Sequence, residues 1–529
     1  MTEPVPTGLP PTFIQRYRTA FVVAGLMFGM LLGAVDQTVV GTAMPTIVGY
    51  LGGFSLITWV TTAYMLTSTA SLPIFGKLSD MYGRRLFYLL GLGLFLTGSA
   101  LCGAAQTMPQ LILFRGLQGI GGGAMVPVAQ TIVGDIFPAA KRARWQGIFT
   151  ALFGLASILG PQLGGWMVDY WNWRWVFYIN LPIGLTAATL IGAFLRESKD
   201  SGPRNVDYLG AGAVVGAVVF LLLGLVQGGK DYPWTSLQIL GRFAAAAAFA
   251  VLFVIAELRA KEPILPLDLF KDRVFAVTNT VGFFIGLGMF GVVVFIPLFM
   301  QGVIGFSASN AGAIMTPMMI TLVLASMVGG WLALRVGYRT QMTLGMGIIT
   351  TGFYLMSRLT PDTSKLQAVG SMLVVGFGLG LVMPILVLAV QDSFPKERRG
   401  VVTSSTAFFR SIGGTIGVTV LGVVMNNKAL SLVRARLDSI GTGVPPAYAP
   451  LMVNFQAAVA RDPESLFAVL VNREAQKAIP AQLLAPVMRT AQEILSKSIQ
   501  TVFLVGLALV GAGTVAALFM GRARLNHRA

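Results

Sequence analysis

Apolar residues fill this chain in long runs separated by short polar stretches. Coiled as an α-helix, a run of about 18 or more residues is long enough to cross a hydrocarbon core of roughly 30 Å. In the first part of the chain such runs are placed at residues 19–42, 55–76, 86–105, 109–135, 146–168, 174–195, 207–227 and 236–257. In the second they fall at 275–300, 309–334, 340–358, 367–391, 402–426 and 498–520. The pattern predicts fourteen transmembrane helices.

An internal repeat sorts these runs. Gly119, Gly121, Gly123, Pro127, Asp135, Phe137 and Pro138 recur 257 residues later as Gly376, Gly378, Gly380, Pro384, Asp392, Phe394 and Pro395. A basic pair follows each copy, Lys141 with Arg142 and Arg398 with Arg399. A weaker echo relates Gly76, Leu78, Gly83 and Arg85 to Gly330, Leu332, Gly337 and Arg339. An all-α membrane protein satisfies both echoes if it has two similar six-helix bundles with the seventh and eighth runs inserted between them. Duplicated bundles are a transporter signature, with substrate near the midplane and the halves rocking around it.

The chain is accordingly divided into a lead (residues 1–18), a first bundle (19–200), two inserted transmembrane helices (201–262) and a second bundle (263–529). The second bundle contains a long outer loop, 427–497, with Pro445, Pro446, Pro450, Pro463, Pro480 and Pro486. Within that loop residues 453–459, 466–471 and 483–495 are amphipathic enough for short helices on the membrane surface or over the outer mouth; a partly ordered tether is the alternative.

Composition agrees with the runs: 55% of residues are hydrophobic, 11% are charged, and the mean hydropathy is +0.75. No ordinary soluble domain has that balance. The net charge of +17 would suit nucleic acid, but its placement gives another meaning. With the N-terminus taken as cytoplasmic, the short cytoplasmic loops hold Arg84, Arg85, Lys141, Arg142, Arg398, Arg399 and many more basic residues. The outer ones hold only Arg174, Lys230 and Lys365. That bias is the positive-inside rule, and it predicts both termini in the cytoplasm. One cysteine, Cys102, and one histidine, His527, leave no internal disulfide, cysteine-based metal site or intramembrane histidine relay, and no metal is expected.

Asp36 stands in the outer half of the first run, where a charge costs roughly 2.5 to 3.5 kcal/mol on insertion scales and implies a partner, a wet cavity or a task. Gly25, Gly29, Gly33, Gln37 and Gly41 fall at four-residue spacing beside it, a stripe along which another helix can approach. Arg115 in the fourth run reaches a similar depth and can pair with Asp36. Two readings of the pair stay open: a proton site whose affinity changes with conformation, or a permanent brace between two helices.

Residues 76–85 read Gly-Lys-Leu-Ser-Asp-Met-Tyr-Gly-Arg-Arg. Gly76 and Gly83 permit a tight turn, and Asp80, flanked by Arg84 and Arg85, can accept hydrogen bonds from basic groups or a helix N-terminus. This loop is read as a conformational latch. Gly154, Gly160, Pro161, Gly164 and Gly165 bend and thin the fifth run. A cavity for varied substrates would be lined by adaptable side chains, for which Gln37, Tyr64, Gln118, Phe283, Phe290 and Met315 are candidates. Arg410 is placed to face that cavity and attract anionic headgroups or acidic drugs, or else to reach water along its own side chain. Gly286-x-Gly-x-x-Gly291 lies inside an apolar run and is no dinucleotide site, and no Gly-Lys-Ser or Gly-Lys-Thr phosphate loop is present.

Taken together, Asp36 with Thr38 and Pro45, Gly-x-Leu-x-Asp-x-x-Gly-Arg-Arg, Arg115-x-x-Gln-Gly, Gly160-Pro-x-x-Gly-Gly and Trp173-Arg-Trp-x-Phe-x-x-Asn-x-Pro182 resemble the successive motifs of the major facilitator superfamily. The resemblance is to its fourteen-helix drug/proton antiporter branch and covers nearly the whole chain, although Gly41 and Thr42 stand where the family usually shows Asn-Val. It implies a monomeric, non-enzymatic, multi-pass exporter of hydrophobic or amphiphilic compounds in a bacterial cytoplasmic membrane. The proton gradient would drive it without a cofactor, with Asp36 protonatable, the Asp80 loop as latch and the Gly160-Pro161 helix as antiport motif. The alternative cargo is an endogenous lipid, glycolipid or secondary metabolite, possible also without proton coupling.

Overall fold

The computed structural model describes residues 13–53, 56–196, 205–229, 231–305, 311–436 and 481–521, with isolated positions between 453 and 470. The first helices are α1 (Phe13–Leu51), α2 (Ile57–Tyr82), α3 (Arg84–Ala104), α4 (Met108–Ile136) and α5 (Ala139–Tyr170). A single turn, α6 (Trp175–Tyr178), leads into α7 (Asn180–Phe194), and α8 (Tyr208–Gln227) and α9 (Leu237–Arg259) follow. The second bundle has α10 (Arg273–Gly302), α11 (Ala311–Val336), α12 (Tyr338–Met356), α13 (Lys365–Ser393), α14 (Arg399–Arg436) and α15 (Ala481–Leu518). Among the described residues 12 helices are long and apolar enough to cross a membrane. The Thr- and Ser-rich α2 and the Thr-rich α12 are more polar and lie within the bundles.

Local sequence sets where helices begin. Thr107, Asp207, Ser236, Asp272 and Ser364 each accept the backbone N–H three residues on, closing an N-terminus. Each such cap stabilises by about 1 kcal/mol.

α1 packs on α4, α5 and α7 of its own bundle, and α10 packs on α11, α13, α14 and α15 of the other. The bundles meet along two seams, α2 with α14 and α5 with α11. These seams are closed at the end that carries the Arg-rich turns, called here the basic end. Going away from it, Ser326 Oγ donates to the Gly147 carbonyl at 3.0 Å, and a methyl at Gly154 would come 2.8 Å from Val323 Cγ2. Toward the opposite end, Trp166, Trp171 and Trp175 form an exposed ladder with ring centroids 4.9 and 5.2 Å apart, suited to a membrane interface. The inserted helices α8 and α9 stack through Phe220 and Phe249. Val214, Val218 and Leu222 of α8 bury against Ala70 and Leu72 of α2 and Phe408 of α14, so the pair covers the α2/α14 seam.

Three expectations are corrected. The stretch 76–85 is not a loop: α2 runs on to Tyr82 and α3 begins at Arg84, so Gly83 alone makes the turn between them. The stretch 483–495 is not a separate surface helix but the start of α15, whose 38 residues extend roughly 57 Å and project well beyond a bilayer core. Only the first part of the α1 glycine stripe is approached by a neighbour: Gly25 by Ile191 and Gly29 by Tyr88, with nothing close to Gly33 or Gly41. The expected helices at 453–459 and 466–471 and most of the lead at 1–18 lie outside the described residues.

Candidate functional site

Asp36 is buried on α1 and ringed by groups from two other helices. Arg115 Nη1 donates to Asp36 Oδ2 at 2.6 Å, Gln118 Nε2 to Oδ1 at 2.8 Å and Asn180 Nδ2 to Oδ1 at 3.0 Å. Arg115 also donates to Gln118 Oε1 at 2.7 Å, and its guanidinium lies 4.3 Å from the centre of the Tyr64 ring. Asn180 donates further to Ser99 Oγ at 2.9 Å. Both carboxylate oxygens are thus partnered by the guanidinium and two amides in a buried site, the setting in which an ion pair is tolerated, while Arg115 Nε has no hydrogen-bond partner.

The site depends on helices that approach closely. Thr38, two residues beyond Asp36, hydrogen-bonds back to the Val35 carbonyl at 3.0 Å and lies over Gly160 of α5. Thr42 does the same over Gly164, hydrogen-bonding to Val39 at 2.8 Å. A methyl at either glycine would overlap a threonine hydroxyl, whereas Gly165 faces open space and Pro161 lies within the helix. Gly154 serves the other surface of α5, against α11.

At the basic end residues 76–85, the last turns of α2 and the start of α3, reach across to the second bundle. Asp80 Oδ1 accepts the Gly400 N–H at 2.8 Å and Oδ2 accepts that of Val401 at 2.7 Å, at the N-terminus of α14. Arg84 pairs with Asp80 and, at 3.2 Å, with Asp135. Gly76 packs where any side chain would overlap Ser404. Gly83, with φ 107°, holds a left-handed turn that a Cβ would strain; Gly337, at the echoed position, has φ 80°. Arg85 points away from the seam and donates to the Gly192 carbonyl of its own bundle.

The candidate cavity residues separate. Tyr64 and Gln118 are both buried against the Asp36–Arg115 pair: the Gln118 amide hydrogen-bonds to both charged groups, and the Tyr64 ring face covers the guanidinium. Gln37 is exposed on α1. Phe283 and Met315 pack on the core of the second bundle, and the Phe290 ring lies against Gly414. Arg410 is half-buried, and its Nη1 lies 3.3 Å from Met383 Sδ.

Sequence reading assigned no role to Asn180, although it is the lone amide of its apolar run. Two ion pairs between the bundles were also missed: Arg142 with Asp392 at 2.6 Å, and Arg399 with Asp135 at 3.4 Å. Both acids look like simple end caps until the second bundle is in place.

The sequence profile of the Major Facilitator Superfamily matches residues 26–418. This chain belongs to that family. Multidrug transporter protein MdtP of Bacillus subtilis is 48% identical over 514 residues, 97% of this chain and 95% of that protein. Multidrug resistance protein 3 of the same organism is 41% identical over 522 residues, 98% of each. The crystal structure of the human organic anion transporter MFSD10 shares the fold, with a TM-score of 0.58 at 15% identity, over 93% of this chain and 99% of that one. The protein is therefore a multi-pass major facilitator transporter, not an enzyme.

Proposed function

We propose that this protein exports hydrophobic or amphiphilic compounds across the cytoplasmic membrane in exchange for protons, by alternating access. The similarity to multidrug transporters supports the cargo class. The observation that carries the coupling is Asp36, the one carboxylate away from helix ends in the apolar runs of either bundle, enclosed by Arg115, Gln118 and Asn180. Its partners come from α4 and α7, so a movement of α1 against those helices changes the number of hydrogen bonds to the carboxylate and with it the proton affinity.

Orientation follows from charge. The Arg-rich turns assign the basic end to the cytoplasm, with both termini on that side. The closed end is then cytoplasmic, and the conformation is outward-facing. Asp80 on the N-terminus of α14 and the two cross-bundle ion pairs hold it; rocking to the inward-facing state must break all of them.

A second reading of the cargo rests on a groove of about 290 Å³ between α5 and α11, lined by Ile148, Leu152, Leu155, Ile320, Val323 and Leu324 among others. Its apolar lining suits an acyl chain entering from the bilayer, as export of an endogenous lipid or metabolite would require.

The test is internal pH in proteoliposomes on addition of drug. Substrate-dependent proton flux that disappears in Asp36→Asn supports antiport through this carboxylate. Flux that persists in the variant moves coupling elsewhere, and drug movement without proton flux removes coupling from the reading.

A further inference from the structure

Away from helix ends, the apolar runs of the two bundles contain three charged side chains: Asp36, Arg115 and Arg410. The first two neutralise each other at 2.6 Å. That leaves Arg410, eleven residues into α14 and so roughly 16 Å from the basic end, near the middle of a 30 Å hydrocarbon core. Among the described residues no carboxylate pairs with it, and its recorded polar contact is the weak one to the Met383 thioether. Met383 belongs to α13, which is buried almost continuously from Gly378 to Gln391, so the guanidinium points into the protein and not toward lipid. It is also not sealed there: Arg410 is half-buried, whereas Arg115 is 2% exposed.

The architecture does not require this cation. The repeat places Phe153 of α5 at the position equivalent to Arg410. The surroundings are apolar, with Met383 beside the guanidinium and the Phe290 ring against Gly414, one turn further along α14. A guanidinium in such a setting offers a planar fork of N–H donors that matches a carboxylate or sulfonate, and it repels cations.

We infer that Arg410 is an anion-binding subsite at the midplane, and that it selects amphiphiles with an acidic head and an apolar body. This rests on the export reading for its transport consequence, but the subsite is tested by binding alone. Full-length protein in lipid nanodiscs is titrated at neutral pH with 11-(dansylamino)undecanoic acid and with its methyl ester, probes that differ in one charge. Wild type is expected to bind the acid about tenfold or more tightly than the ester, the size of a charge-assisted hydrogen bond. Arg410→Gln should bring the two within about twofold by weakening the acid far more than the ester, and the ester binding that remains shows that the variant is folded. Arg410→Lys should retain part of the preference, as a point charge without the fork.

A wild type without preference overturns the subsite. So does a preference that survives Arg410→Gln, which would assign it to the general positive charge of the protein. Loss of drug export in the proteoliposome assay with the binding preference intact would remove the export reading and leave the subsite standing.

Discussion

Arg142 of α5 pairs with Asp392 of α13, and the mirror pair joins Arg399 of α14 to Asp135 of α4. Each arginine and each aspartate has its repeat partner 257 residues away, so the duplicated motif ties each bundle to the other by the same two side chains. The seal at the basic end is thus reciprocal, and a rocking motion loads both pairs at once.

Asp392→Asn is expected to loosen that seal. Removing one partner of a fully buried pair costs about 3–5 kcal/mol, but this pair lies at a partly wetted end, so about 1–2 kcal/mol is expected. A cysteine at Ser326, buried in the α5/α11 seam, should then react about tenfold faster with an impermeant thiol reagent applied from the basic side. The exchange Arg142→Asp with Asp392→Arg should return the rate toward wild type; an unchanged rate in Asp392→Asn would show that the pair does not hold the seam.

Asp80→Asn should act in the same direction through a different contact. The amide keeps the shape but offers one carbonyl oxygen where two carboxylate oxygens now accept Gly400 and Val401 N–H, and it loses the charge that favours a helix N-terminus. The expected result is faster labelling at Ser326→Cys and slower drug export, with thermal stability changed by no more than about 1–2 kcal/mol.

Asn180→Leu tests the residue that sequence reading passed over. It removes donors to both Asp36 and Ser99, leaving buried oxygens short of partners at a cost of about 1–3 kcal/mol. The melting temperature in detergent should fall by a few degrees and coupled export should weaken, while Asn180→Gln should be intermediate. A variant with wild-type stability and export would remove Asn180 from the site.

The glycines of α5 should not behave alike. Gly160→Ala and Gly164→Ala force methyl groups onto Thr38 and Thr42 and must push α1 away, at about 1–3 kcal/mol each. Gly165→Ala meets nothing and should stay within about 0.5 kcal/mol of wild type. Thermal unfolding and drug efflux of the three variants measure the difference directly. Equal effects at all three would mean that helix flexibility, not the α1/α5 contact, is what these glycines provide.

The sequence by itself determined much of this protein. Hydropathy set the transmembrane helices, because a bilayer rewards long apolar runs whatever they pack against. The repeat gave the two bundles, and the cost of a lone intramembrane acid singled out Asp36, with Arg115 at matching depth as its partner. Positive φ at Gly83 and Gly337 was foreshadowed by glycines at echoed positions.

Tertiary structure alone decided which side chains meet across helices far apart in the chain. Tyr64 and Gln118 carry polar groups suited to a binding cavity, yet both are spent on the Asp36 pair, Gln118 as a hydrogen-bond partner and Tyr64 through the ring face that covers Arg115. Asp135 and Asp392 look like helix caps until the facing bundle brings Arg399 and Arg142 to them. The α1 glycine stripe suggested a close neighbour along its length, but Thr38 and Thr42 on another face of α1 are what meet Gly160 and Gly164. Periodicity states which residues share a face; which face is covered, and by what, depends on how complementary surfaces from the whole chain fill space together.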